Sequence, residues 1–149
     1  MTDNQIFSKD WLNRDFSYYR EIEALQQKAE LMENDINRCV GGYEASEIQR
    51  PDYSGIRESK MSALADLKNL LEAKTREMSA SDMETIRVID KLSGENSHNE
   101  KSVLIYRYVN RQQWKTIARD MQLSEAKCYE IHDLALEDIS PIIKEHLIK

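Results

Sequence analysis

The sequence predicts an all-α chain: a long helical hairpin of coiled-coil character, followed by a smaller module of short helices. Three observations predict it. Apolar residues along 18–39 recur at steps of three and four, and Leu64, Leu67, Leu71 and Met78 at steps of three, four and seven, which places each set on one face of a helix. Four Gly and two Pro in 149 residues leave few sites for the tight turns of a β fold. Charged residues make up 32% against 40% hydrophobic and 7% aromatic, a balance that suits helices with long solvated faces.

The first long helix is read from FSYYREIEALQQKAELMENDINRCV. Tyr18, Ile22, Leu25, Ala29, Met32, Ile36 and Cys39 alternate steps of four and three, the seam of a helix lying along a partner helix. Trp11, Leu12 and Phe16 extend the apolar material upstream. Gly41 and Gly42 are expected to stop this helix, since glycine suits the left-handed closing position. Residues 41–56 hold three of the four glycines and one of the two prolines, so a loop is expected there. A second helix is expected from near Glu58, presenting Leu64, Leu67, Leu71 and Met78. Ser81 and Glu84 match a capping box, which would break or kink it near 79–81, although a continuous helix tolerates the same residues. Met83, Ile86, Ile89 and Leu92 carry the stripe on to a linker at 93–99. Lys74 interrupts the seam, and its long stem would carry the ammonium outward. Residues 1–96 are thus expected to form one hairpin, joined to a second module at 97–149.

In that module Ser97 and Glu100 match another capping box, and Val103, Leu104, Tyr106 and Val109 line a helix that turns at 110–113. Ile117, Ala118 and Met121 share one face of the next helix. Ser124 suits the cap of the helix after it, in which Cys128, Ile131, Leu134, Ala135 and Ile139 continue at helical spacing. Two short helices across a turn of about three or four residues read as a helix-turn-helix. Ser140 and Pro141 then suit the cap and first position of a short terminal helix.

Several function classes are excluded. No uninterrupted apolar run approaches the roughly 18 residues of a membrane span, and MTDNQIFSKDW lacks the basic and apolar regions of a signal peptide. A cytoplasmic location is expected. Cys39 and Cys128 are too few and too far apart for a zinc site and fit free thiols in a reducing compartment. His98, His132 and His146 have no partner at metal or catalytic spacing. No Gly-rich phosphate cradle, nucleophile elbow or HExxH pattern occurs, and the carboxylates follow solvated helix faces. An enzyme, a metal site, a cofactor and a small-molecule substrate are therefore not expected. The net charge of −6 argues against broad adhesion to nucleic acid. Its distribution is uneven: Lys101, Arg107, Arg111, Lys115, Arg119, Lys127, Lys144 and Lys149 balance the acids of 97–149, so residues 1–96 carry the whole deficit.

The segment VLIYRYVNRQQWKTIARDMQLSEAKCYEIHDLAL resembles the fourth conserved region of sigma-70-type transcription factors. The matching residues are Val103, Leu104, Arg107, Tyr108, Trp114, Ile117, Ala118, Ser124, Cys128, Ala135 and Leu136. A helical hairpin followed by such a module is similar to the ArpU and RinA-like late-gene regulators, small phage proteins of Gram-positive bacteria. The first 96 residues match in architecture only. Two departures stand out. Gln113 occupies a position that is commonly Ser or Thr, and the helix after Ser124 carries Glu125, Glu130 and Asp133 where the family is usually basic.

The resemblance implies a sequence-specific DNA-binding transcription regulator of phage or prophage origin, acting on promoter DNA and meeting host RNA polymerase. Arg107, Arg111, Lys115, Arg119 and Lys127 fall where phosphate contacts would lie. Gln112, Gln113, Ser124, Glu125, Tyr129, Glu130 and His132 complete the expected interface, since Glu accepts from cytosine and Gln reads adenine. Ile117, Ala118, Met121, Cys128 and Ile131 are expected in the core, and so is Trp114 rather than on DNA. A homodimer is expected through Trp11, Leu12, Phe16, Tyr18, Tyr19, Ile22, Leu25 and Met32, because a lone hairpin leaves those aromatics uncovered. Two reading heads at fixed spacing would also offset the weak charge of each. Two alternatives stay open. One is a protein-binding module, an anti-host or anti-regulator inhibitor whose acidic helix engages a protein. The other is a small terminase-like DNA-packaging subunit.

Overall fold

The computed structural model describes the backbone of residues 1–46 and 53–148, and the side chains of residues 1–38 and 55–148. Every regular element among them is helical: α1 (Asp3–Leu12), α2 (Phe16–Ser46), α3 (Tyr53–Ile89), α4 (Ser97–Leu104), a π-helical turn (Ile105–Val109), α5 (Trp114–Met121) and α6 (Glu125–Ile148). The chain is all-α, as its periodicity predicts. It forms two compact units, one of Phe16–Ser79 and one of Met1–Asp15 with Ala80–Lys149. The division expected between 96 and 97 falls inside the second unit.

In the first unit α2 and the early turns of α3 run antiparallel. Tyr18 Oη donates to Glu77 at 2.6 Å, Lys74 pairs with Glu21 at 2.7 Å and Lys60 with Asp35 at 2.8 Å, so partners climb one helix as they descend the other. Lys68 pairs with Glu33 between them. The seam follows the heptad: Ile22, Ala29 and Ile36 are buried, while Tyr18, Leu25 and Met32 are half-buried. Across from them Leu64, Leu67 and Leu71 are half-buried and Met78 is buried. Lys74 lies on the seam with its ammonium 5.2 Å from the Tyr18 ring centroid, so the cation leaves along an aromatic face.

Three boundaries differ from the sequence reading. Gly41 and Gly42 do not stop α2, which continues to Ser46, and α3 begins at Tyr53 rather than near Glu58. The expected loop over 41–56 is thus helical at 41–46 and 53–56, and its remainder lies outside the described residues. Each glycine costs a helix interior only about 1 kcal/mol, and adding a turn to an existing helix is far easier than nucleating one. Cys39 also lies outside the described side chains. Nor does α3 break at 79–81. The Ser81 hydroxyl is engaged by the Asp15 carboxylate and by Arg14, so it makes no cap.

The second unit is built on α6. Its core joins Trp11 and Leu12 of α1, Val88 and Ile89 of α3, Leu104 and Tyr108, and Ala135, Leu136, Ile139 and Ile143 of α6. Phe7, Ser8, Trp11 and Leu12 recur at four-residue steps and form the inner face of α1. Thr2 and Gln5 close a capping box at its start. Ser8 Oγ donates to the Leu136 carbonyl at 2.7 Å, and Gln5 Nε2 to that of Asp133 at 3.0 Å, so α1 is sewn to α6 by hydrogen bonds as well as packing. Trp11 and Leu12 are therefore core residues of one chain, and the oligomer surface expected of them is corrected.

Two further expectations fail here. Ser97 is the first residue of α4 and Asn96 stands at the cap position without a side-chain hydrogen bond, so Ser97 and Glu100 form no capping box and the linker ends before 97. Pro141 lies inside an unbroken α6 rather than starting a new helix. Proline in a helix interior costs about 3 kcal/mol. Burial of Ile139 and Ile143 on either side offsets that, while the ring itself faces solvent.

Candidate functional site

The candidate site is the stretch from the π-helical turn through α5 into the first turns of α6. Asn110 N donates to the Ile105 carbonyl at 2.9 Å, the wide spacing of a π turn, and Gln112 N donates to Tyr106 O. Arg111 then adopts a left-handed φ of 55°, unusual for a side chain with a Cβ. Its guanidinium holds it there, with Nη1 on the Val109 carbonyl at 2.7 Å and Nη2 3.2 Å from Asp82.

Gln113 occupies the cap position of α5 without a side-chain hydrogen bond, as its poor capping chemistry implies. Ile117 and Ala118 turn inward onto Cys128, with Tyr106, Trp114, Met121 and Leu123 around them. α5 ends in a Schellman arrangement: Leu123 N donates to Ala118 O at 3.0 Å and Gln122 N to Arg119 O at 3.2 Å. Gln122 takes the left-handed position at φ 57°, where glycine would be at ease. Ser124 Oγ accepts from Lys127 N at 3.1 Å and caps α6. Helix, a turn of three residues and helix follow one another as the sequence predicts.

The expected contact residues separate into three groups. Lys115, Arg119, Ser124, Glu125, Lys127, Glu130 and Gln113 are exposed. Tyr129 is 45% exposed, with its ring tilted against Trp114 at 4.7 Å. Arg119 and Lys127 lie within ion-pair distance of Asp120 and Glu130, at 3.5 and 3.4 Å. Arg107, Arg111 and Gln112 are partly buried and tie the turn together: Arg107 Nη1 donates to the Gln112 carbonyl at 2.9 Å and stacks over Trp114.

His132 is the clear correction. It is buried, its Nε2 2.6 Å from Tyr108 Oη, with the Trp114 ring edge-on at 4.8 Å. Burial pushes its pKa down to about 4, so the ring is neutral near pH 7 and unavailable to a base edge. Cys128, fully buried, has its thiol pushed up by desolvation and by Glu125, the chemistry of a packing residue. Leu134, expected in the stripe, is 56% exposed instead.

Two features escaped the sequence reading. Glu100 is buried where α4 meets α6, and desolvation, a hydrogen bond to Asp138 and repulsion from it push its pKa up to about 7. Its position three and four residues before Val103 and Leu104, on the same helix face, was the available signal. The other is α1, whose Thr2 and Gln5 spacing is itself a capping-box signature.

A family model described as a protein of unknown function matches residues 59–140, more than half of the chain. The chain belongs to the DUF1492 family. The DUF1492 match begins within α3, takes in α4, the π-helical turn and α5, and ends within α6, so it spans the whole candidate site. No curated protein and no solved structure matches the chain. Among the described residues no His, Cys, Asp and Glu cluster could hold a metal ion, and no helix is long and apolar enough to cross a membrane.

Proposed function

We propose that this DUF1492 protein is a phage or prophage transcription regulator of the sigma region-4-like type, with α6 as the element that reads promoter DNA. The observation that carries the reading is the Schellman turn and Ser124 cap that launch α6 from α5 and leave its first turns solvated. Lys115, Arg119 and Lys127 supply phosphate contacts, and Gln113, Glu125, Tyr129 and Glu130 face the base edges. Three neutralised phosphates per module predict a salt slope of about −2.7 for one module, hence about a 40-fold loss of affinity between 50 and 200 mM salt. The slope is about −5.4 when two modules bind together. Fluorescence anisotropy with promoter fragments from the protein's own genomic neighbourhood measures this. Lys127→Glu should weaken binding more than Lys149→Glu, because Lys127 lies in the first turn of α6. Equal effects of the two would leave only general charge and remove α6 as the reading helix.

A homodimer built on the α2–α3 hairpin belongs to this proposal, since two modules would offset the few cations of each. Leu31, Ile56, Met61 and Leu70, all at least 47% exposed on that unit, replace the buried Trp11, Leu12 and Ile22 as the apolar surface available to it.

One observation favours a second reading. Tyr129 and Leu134 are exposed on α6 among Glu125, Glu130 and Asp133, an acidic and apolar face that suits a protein partner. A protein binder shows no specific DNA shift even at low salt, which separates the two.

A further inference from the structure

A cleft of about 520 Å³ opens between the start of α4 and the outer side of α6. Ile131 forms an apolar floor and Leu134 an apolar rim. Three carboxylates line it, Glu100 from α4 and Glu130 and Asp133 from α6, together with the amides of Asn96 and Asn99. Lys127 is the single cation in the lining, so the carboxylates outnumber it.

Glu100 distinguishes this cleft from an ordinary acidic surface. It is only 5% exposed, and its Oε2 has no hydrogen-bond partner. The hydrogen bond between Glu100 and Asp138 lasts only while the pair holds a proton, and once that is lost Glu100 is a buried acceptor with a second carboxyl beside it, which is costly. A donor bearing positive charge would satisfy both.

The chemistry of that donor is constrained. Among the described residues no group of carboxylates converges closely enough for a metal ion. Phosphate is disfavoured by the surplus of negative charge. A guanidinium spreads five N–H donors over a planar fork and reaches acceptors that do not converge on a point. Its methylene stem would lie on apolar surface such as Ile131 and Leu134.

We propose that this cleft receives an arginine side chain presented by a protein partner, with the guanidinium among Glu100, Glu130 and Asp133 and the stem against Ile131 and Leu134. Lys127, 3.4 Å from Glu130, is its internal competitor. The proposal does not rest on the DNA reading.

The test is a titration of the full chain, followed by amide chemical shifts, with a blocked Ala-Arg-Ala-Ala peptide and its citrulline counterpart. Citrulline keeps the shape and removes the charge. Shifts confined to Asn96, Asn99 and residues 127–134 are expected with the arginine peptide alone. The exposed double change Glu130→Gln and Asp133→Asn should weaken binding about tenfold, while Lys127→Met should tighten it. Raising the pH from 6 to 8 should also tighten binding, because Glu100, facing Asp138, Glu130, Asp133 and Lys127, loses its proton over that range. Equal binding of the two peptides, or weakening of arginine-peptide binding by Lys127→Met, would overturn the proposal. Under the reading above Lys127→Met weakens DNA binding, a separate measurement, so the failure of one proposal is distinguishable from the failure of the other.

Discussion

Replacing Glu100 by glutamine should give the protein a new pH dependence of stability, because two buried groups oppose one another in the native chain. The folded protein keeps the Glu100 proton up to about pH 7, whereas the unfolded chain releases it near 4.5. That contribution is therefore fully present below pH 4.5 and lost as the pH rises toward 7. His132 behaves the other way. The unfolded chain takes up its proton near 6.5 and the folded one only near pH 4, so stability falls as the pH drops through that window. Between about 4.5 and 6.5 each group contributes up to about 1.36 kcal/mol per pH unit, with opposite sign, and the two nearly cancel.

Glu100→Gln keeps the shape and removes one of the two slopes. The full gap from 4.5 to about 7 corresponds to about 3 kcal/mol. The adjoining cleft admits solvent, which reduces this to about 2 kcal/mol. The variant should match the native protein near pH 4.5 and exceed it by that amount above pH 7, a shift of about 1 M in the urea midpoint. Urea unfolding by far-ultraviolet dichroism at pH 5, 6, 7 and 8 measures the difference, and titrating groups common to both proteins drop out. A constant difference across the series would show that Glu100 is ionised in the fold, and the account of its burial would be wrong.

Other outcomes follow from the packing and capping. Ser124→Ala removes the α6 cap and should destabilise by about 1 kcal/mol, seen as a lower urea midpoint with an unchanged slope. Leu136→Ala opens a cavity in the fully buried core against α1 and should cost about 2–5 kcal/mol. A value under 1 kcal/mol would mean that α1 does not cover that site. Light scattering at micromolar concentration should give twice the chain mass of 17.5 kDa. Leu31→Lys with Leu70→Lys should return it to one, and a native monomer would remove the dimer.

The hairpin was legible because its two stripes have a period and its charges sit beside them: Ile22, Ala29 and Ile36 are buried where the heptad puts them. What periodicity does not carry is the identity of the covering element. Trp11 and Leu12 read as surplus apolar surface, and only their proximity to Leu136 and Ile139 in the fold makes them core. Pro141 shows a similar limit, since its local preference for a helix start yields to burial on either side of it. His132 was readable and was misplaced. It stands four residues after Cys128 and four before Leu136, on the inner face of α6, and its imidazole fills that face against Tyr108 and Trp114.

The cations of the candidate site are not all available to a ligand. Five basic residues between 107 and 127 look equivalent in sequence, yet two of them are spent on the turn. Arg111 holds a left-handed backbone against Asp82, and Arg107 ties Gln112 and covers Trp114. A guanidinium is suited to such work because its fork bonds several carbonyls at once, and in sequence that use looks the same as an exposed cation. Lys115, Arg119 and Lys127 remain exposed, against Asp120, Glu125, Glu130 and Asp133 on the same two helices. A single module of this kind would bind DNA only weakly on phosphate contacts. The proposed function therefore stands or falls with the dimer, because doubling three contacts raises the salt slope to about −5.4 and the binding with it.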